Sequence, residues 1–320
     1  MKKVVRLFSY LLIGFLLFLL IGELCYRYQV FNFYGQEFRQ LNPDPEKEAE
    51  KTILIFGDSF SAYPNGYVQQ LSEKSPEIRY INAAIPGTGI KQHRLMFENM
   101  IEEYQPDQII YQFYVGNDFL DIQQPINKQT LSWSRNLYWN IAERLLFVGY
   151  LNYKLGAFNA PPKNSLEELE QQDFDLAKYN KRVKLQFKGN PNHLQETLTL
   201  TGRAAKKYGI WKKHFSYLVS ILPKDTELSL MFIPHCAQVS TLYARRMAQM
   251  GANLDQYALR LNPALYAQIN SDFDTVEIIN PQEYFQNAEQ NGYAMYFEND
   301  PHLSPTGQAI FSRYLYIKGY

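Results

Sequence analysis

The chain opens on an almost unbroken apolar run, Leu7 to Gly22, extended at its front by Val4 and Val5 and preceded by Lys2, Lys3 and Arg6. A helix of about 20 apolar residues spans a bilayer, so the run predicts a transmembrane segment over residues 4–24. No A-x-A-like cleavage site follows it, and Glu23, Tyr26, Arg27 and Tyr28 read as an interfacial collar; both features favour a retained anchor. A cleaved signal peptide is the alternative, and either version exports the same body. The basic residues lie on the N-terminal side, which predicts a single pass with the N-terminus cytoplasmic and the body periplasmic or at the cell surface.

Residues 1–28 are thus expected to hold the cytoplasmic start and the anchor, and 29–51 a linker. That linker ends in Asn42-Pro43-Asp44-Pro45 and a charged run, Glu46 to Lys51, which reads as a spacer or first helical turn. From residue 52 the pattern changes. Thr52–Phe56 is a short run, apolar after its first residue and closed by Gly57, and comparable runs recur at Arg79–Asn82, Gln108–Tyr114, Glu227–Ile233 and Val276–Ile279. Continuous apolar runs of this length predict strands covered on both faces. Between them, Tyr67–Lys74, Gln92–Tyr104 and Arg203–Leu222 carry helical periodicity. Strand–helix alternation predicts a three-layer α/β domain over 52–320 with a parallel sheet.

The stretch from about 123 to 205 breaks the rhythm. Trp133–Leu155 has Leu137, Ile141, Leu145, Leu146 and Tyr150 on a helical spacing; Ala160-Pro161-Pro162, the acidic Glu167, Glu168 and Glu170, and a polar stretch at 188–193 follow. This reads as a largely helical insertion between the third and fourth strands, either a packing cap or a lid over a substrate pocket.

Charge removes some partners. Lys+Arg and Asp+Glu are both 32, and a chain of zero net charge has no field to gather nucleic acid. An apolar share of 46% supports a real core. Aromatics reach 15%, which fits interior packing with an interfacial belt, or a Tyr-lined surface for sugar rings. Cys25 ends the apolar run, so a disulfide with Cys236 is not expected.

The chemistry gathers at the ends of the predicted strands, where open α/β sheets bind ligands. Gly57-Asp58-Ser59-Phe60 follows the first strand. Asn82 ends the second, and Gly87 lies in Asn82-Ala-Ala-Ile-Pro-Gly87. Gly116-Asn117-Asp118 ends the third. Asp300-Pro301-His302 precedes the last helical segment, and an Asp so near a His fixes the imidazole tautomer. A serine hydroxyl needs such a base to act as nucleophile. His93, His193, His214 and His235 lack this context, although His235, after the fourth strand, is placed to face the same crevice. No metal-site pattern is present, and no cofactor is expected.

In this order, GDS, N-x-x-x-x-G, G-N-D and D-x-H resemble the four sequence blocks of the SGNH/GDSL hydrolase superfamily, over 52–320 without the insertion. The resemblance implies a flavodoxin-like sheet of five parallel strands and acyl-ester chemistry. It implies Ser59 as nucleophile, His302 as base with Asp300 as third member, and the Ser59 N–H, the Gly87 N–H and the Asn117 side chain as oxyanion-hole donors; Asp58, Asn82 and Asp118 support them. Two departures stand out: Val115 holds the place of a common glycine, and the Asp lies two rather than three residues before the His. The D-x-H spacing resembles the envelope polysaccharide O-acetyltransferases. The expected activity is hydrolysis of acyl esters, O-acetyl above all, on envelope glycans or lipids. An O-acyltransferase using the same site, or a silent glycan-binding protein, are the alternatives.

Overall fold

Five short strands, β1 (Lys51–Phe56), β2 (Ile78–Asn82), β3 (Gln108–Tyr114), β4 (Glu227–Ile233) and β5 (Glu277–Ile279), pair in parallel in the order β2-β1-β3-β4-β5. They belong to a computed structural model that describes residues 2–156, 172–255 and 261–320. β1 is buried from Thr52 onward and β3 throughout, as strands covered on both faces must be. Gln108, a buried polar residue on β3, is satisfied sideways: it donates to Ser229 Oγ on β4 at 3.0 Å, which donates to Glu277 on β5 at 2.9 Å.

Side-chain alternation sorts the layers. Tyr111 and Phe113 face helices Phe97–Tyr104 and Gly202–Ile221, where Phe97, Trp211 and Phe215 pack on their rings. Gln112 faces the other layer, which contains helices Tyr67–Lys74, Gln282–Gln290 and Pro305–Ile317 and is joined by ring contacts of Phe311 with Tyr67 and Phe285. Trp211 is fully buried and stacks on Phe215 at 4.7 Å, so much of the 15% aromatic content is interior packing. Trp211→Ala is expected to cost about 3–5 kcal/mol; denaturant titration checks this as a lower midpoint with an unchanged slope.

The strands stand within a residue of their predicted bounds, but two predicted helices are each broken. Gln92–Tyr104 is two helices, Ile90–His93 and Phe97–Tyr104. His93 is held by Thr88 at 2.9 Å and Tyr111 at 3.0 Å while Phe97 packs on Phe56, so tertiary anchors override the helical period. Trp133–Leu155 breaks into Trp133–Ala142 and Leu146–Leu155, where Lys91 Nζ, half-buried beneath the turn, takes the carbonyl of Glu143 at 2.7 Å.

The expected linker, residues 29–51, carries structure of its own. Helix Gly35–Leu41 lies there, and Asn42 is buried, with its amide exchanging two hydrogen bonds with the Asn82 backbone at 2.7 and 2.9 Å. One asparagine side chain thereby extends the outer edge of β2. Helices Lys181–Gly189 and His193–Thr199 complete the described part of the β3–β4 connection. Ala160-Pro161-Pro162 and Glu167, Glu168 and Glu170 lie outside the described residues.

The N-terminal helix, Lys2–Arg27, is 26 residues long and apolar enough to cross a membrane.

Candidate active site

β1 and β3 are neighbours, yet the chain leaves β1 towards β2 on one side and returns as β3 on the other. At such a switch point the loops beyond the carboxyl ends diverge and leave a crevice. Gly57 ends β1 where no side chain fits: a Cβ there would collide with the Gln112 amide and stand 2.8 Å from Ser61 Oγ. The next turn is built around Asp58. Its buried carboxylate accepts from Phe60 N–H at 3.0 Å and from Asn117 Nδ2 at 2.9 Å, and its own N–H donates to Gln112 at 3.0 Å. Ser59, flanked by these fixed neighbours, is partly exposed in a cleft.

His302 reaches the cleft from the far end of the chain. Its loop is pinned by a bridge between Tyr296 and Leu303 and by Ser304, which caps helix Pro305–Ile317 through Gly307 N–H at 2.9 Å. Ser59 Oγ lies 2.7 Å from His302 Nε2. The other ring nitrogen, Nδ1, is hydrogen-bonded to Asp300, whose carboxylate also accepts the His302 backbone N–H at 3.0 Å. A carboxylate only accepts, so the proton sits on Nδ1 and Nε2 is left to accept from the serine hydroxyl. Burial pushes the His302 imidazole down, but the charge and hydrogen bond of Asp300, helped by Asp58, outweigh it and hold the pKa above 6.5. Burial likewise pushes Asp300 up, and the His302 and Asn180 contacts overcome it, holding Asp300 below the usual carboxylate range.

The remaining sequence-predicted residues divide. Asn117 lines the cleft; Asp58 takes one of its amide hydrogens and thereby fixes which way the amide points. Asn82 is buried and acts as a strut, donating to Ser61 O at 2.8 Å and accepting from Ala84 N–H at 3.1 Å. Asp118 turns inward, accepting Tyr114 N–H at 2.6 Å, and burial raises its pKa strongly. Gly87 has φ +72° and is exposed; it is not among the residues lining the cleft, and the Arg182 guanidinium is its nearest neighbour on the Cβ side. Its backbone suits glycine.

The insertion also lines the cleft, and its Asn180, Arg182 and His193 were not picked out as site candidates. Asn180 Nδ2 donates to Asp300 Oδ2 at 2.8 Å, and its backbone N–H donates to Asn299 O at 2.9 Å. Asn299 in turn is held by Asp175 N–H at 2.8 Å and Asp173 O at 2.8 Å. The insertion therefore clamps the Asp300–His302 loop directly. His193 and His235 line the inner wall, both pushed down by burial, to about 4 and about 3. His193 Nδ1 bonds to Asn190 O at 3.0 Å, so it carries the proton and Nε2 accepts; His235 Nδ1 accepts Ala237 N–H at 3.1 Å, so its Nε2 donates. Two neutral imidazoles thus give the wall one acceptor and one donor. Among the described residues no cluster of His, Cys, Asp or Glu is arranged to hold a metal ion.

No family model matches the chain, and no curated protein matches it. Solved structures give distant likenesses. An acetyl xylan esterase, AlAXEase, is 12% identical with a TM-score of 0.44, covering 84% of this chain and 100% of that one. A lipase, Lip_vut3, from a goat rumen metagenome is 15% identical with a TM-score of 0.42, covering 84% and 98%. A catalytic mutant of Axe2, an acetylxylan esterase from Geobacillus stearothermophilus, is 14% identical with a TM-score of 0.41, covering 85% and 95%. At such distances the chemistry of the cleft stands on its own geometry.

That geometry sets a serine hydroxyl within hydrogen-bond reach of an imidazole that a carboxylate orients, the arrangement by which a base activates a nucleophile. Ser61, two residues on, is excluded as the nucleophile: its hydroxyl is buried and tied to Tyr67 at 2.6 Å and Gln112 at 2.9 Å.

Proposed function

We propose that the protein is a serine ester hydrolase of SGNH type acting on acyl esters, O-acetyl above all, of cell-envelope glycans or lipids. The observation that carries this reading is the 2.7 Å contact between Ser59 Oγ and His302 Nε2, with Asp300 on the opposite nitrogen. Nε2 takes the hydroxyl proton as Oγ bonds to the ester carbonyl carbon. The carbonyl oxygen becomes an oxyanion facing the Ser59 N–H and the Asn117 amide, with Gly87 proposed as third donor. Collapse of the tetrahedral intermediate breaks the bond to the alcohol, which leaves with the proton from His302. Water, activated by the same nitrogen, then releases the acid from Ser59.

Asn117→Ala is expected to lower kcat by about 10²–10³ with little change in KM, because the oxyanion exists only after attack. Steady-state kinetics on p-nitrophenyl acetate measure this.

Residues 52–320 form the proposed catalytic domain, with 123–205 as its insertion and 29–51 linking it to the anchor, residues 1–28. Retention of that anchor is supported by its last turns. Glu23 and Tyr26 are buried against the body; Glu23 accepts Phe147 N–H at 2.8 Å, and the Tyr26 and Tyr34 hydroxyls meet at 2.8 Å. Cleavage beyond residue 22 would expose Phe147, and cleavage beyond 26 would also empty the site of a buried tyrosine. The basic residues at the start of the helix, Lys2, Lys3 and Arg6, support a cytoplasmic N-terminus with the cleft outside.

The D-x-H spacing favours one further reading, transfer of the acyl group from Ser59 to a sugar hydroxyl in place of water. Incubating the purified chain with p-nitrophenyl acetate, with and without an oligosaccharide acceptor, separates the two. Acetate release unaffected by acceptor supports hydrolysis, and acetylated sugar forming faster than acetate reverses the order. Absence of both products, with Ser59 inert to a fluorophosphonate, leaves a silent glycan-binding protein.

A further inference from the structure

We propose that helix Trp133–Ala142 binds the surface of the lipid bilayer, lying in the membrane interface beside the N-terminal helix. The inference rests on the reading of that N-terminal helix as a retained anchor.

The observation is an inverted exposed face. Trp133, Leu137 and Ile141 are spaced i, i+4, i+8 and so form one stripe along the helix. They are 77%, 41% and 36% exposed, whereas Asn136 and Trp139 on the opposite side are buried. A helix that packs one face on a core presents polar residues to water; this one presents apolar residues where water would be. The stripe runs towards the exposed Arg144, and a large apolar face with aromatic and basic residues at its margins is the composition of helices that lie in a headgroup layer.

Position selects the lipid as occupant. The turn after this helix is fastened to the end of the proposed span. Arg27 Nη2 donates to Arg144 O at 3.0 Å, and Glu23 takes Phe147 N–H at 2.8 Å. The Phe147 ring stands 5.7 Å from that of Phe18 and covers Gly22, where a Cβ would collide with it. Phe18 lies inside the apolar run, so this turn descends to the depth of the run's outer end, and the stripe begins where the bilayer surface must be. On the inner side of the same helix, Tyr138 stands close enough to Arg182 and Asp121 to interact electrostatically with both. The cleft is therefore one helix away from the membrane, and an ester presented at headgroup height is in reach of Ser59.

Tryptophan emission tests this on the full chain. Besides Trp133 the chain contains Trp139 and Trp211, both buried. The protein is reconstituted in phosphatidylcholine vesicles without bromine, with bromine on the acyl chains near the headgroup to report on residue 133, or with bromine near the chain ends to report on residue 12. Bromolipid is expected to quench part of the wild-type emission, and Trp133→Phe is expected to lose that quenched part. Equal quenching of wild type and Trp133→Phe overturns the inference, as does protection of Trp133 by self-association in lipid-free detergent. A reporter inside the span, Leu12→Trp in the Trp133→Phe background, keeps the two readings apart. Quenching at residue 12 without quenching at 133 removes this inference alone, and no quenching at either removes the anchor as well.

Discussion

Ser59→Ala is expected to lower kcat on p-nitrophenyl acetate by about 10⁶ and to abolish covalent labelling by a fluorophosphonate, with unfolding unchanged. The size follows from the loss of the covalent route. Without Oγ the cleft still binds the ester and still offers donors to an oxyanion, which alone sustain about 10³–10⁴ over the reaction in water. His302→Ala is expected to fall nearly as far, because Ser59 and His302 act as one unit at 2.7 Å and the second loss adds little to the first. The double variant tests this: its rate should match Ser59→Ala rather than the product of two losses. The small side chain of Ser59 is partly exposed in the cleft and is not a core contact, so the folded state should not register its removal. Labelling that persists in Ser59→Ala would place the nucleophile elsewhere and remove Ser59 from that role.

How far these residues could be read from the sequence depended on the range of the forces that place them. β1 and β3 are short runs that must be buried on both faces, and hydrophobicity alone marks them to within a residue. The polar residues after their ends are ordinary turn residues one block at a time, and they were legible as chemistry because four such blocks stand in order along the chain. What sequence could not supply was contact between distant segments. Asn180 is the clearest instance. It caps helix Lys181–Gly189, accepting from Arg182 N–H at 2.9 Å, and an Asn before a helix is adequately explained by that bond. Its second bond, to Asp300, joins residues 120 apart and leaves no local trace. Asn42 escaped for the same reason, its partner Asn82 being 40 residues away beyond a proline- and charge-rich segment. The broken helices have a similar origin, since no periodicity records that Lys91 will claim the carbonyl of Glu143.

The clamp on Asp300 sets the second large expectation. Asp300→Asn should lower the plateau of kcat by about 10⁴, because an asparagine amide no longer holds the proton on Nδ1 and His302 loses the tautomer that accepts from Ser59. It should also move the pH profile, and the direction is fixed by the balance at the imidazole. In the wild type the neutral ring is the active form, and its pKa is raised above 6.5 because Asp300, aided by Asp58, outweighs burial. Activity should therefore rise through an acidic limb centred above 6.5 and be lost as pH falls below it. With Asp300 neutralised, burial is left opposed only by the more distant Asp58, so the limb should move to lower pH even as the plateau falls. Asn180→Ala should act weakly and in the opposite sense on the limb, since it leaves the charge in place and removes a donor that lowers the basicity of Asp300, so the carboxylate holds the imidazole proton slightly more strongly. A purely structural role for Asn180 would lower activity by the same factor at every pH. The limb of kcat/KM against pH, measured for wild type, Asn180→Ala and Asp300→Asn, distinguishes these outcomes, and a limb unmoved in Asp300→Asn would remove Asp300 from the triad.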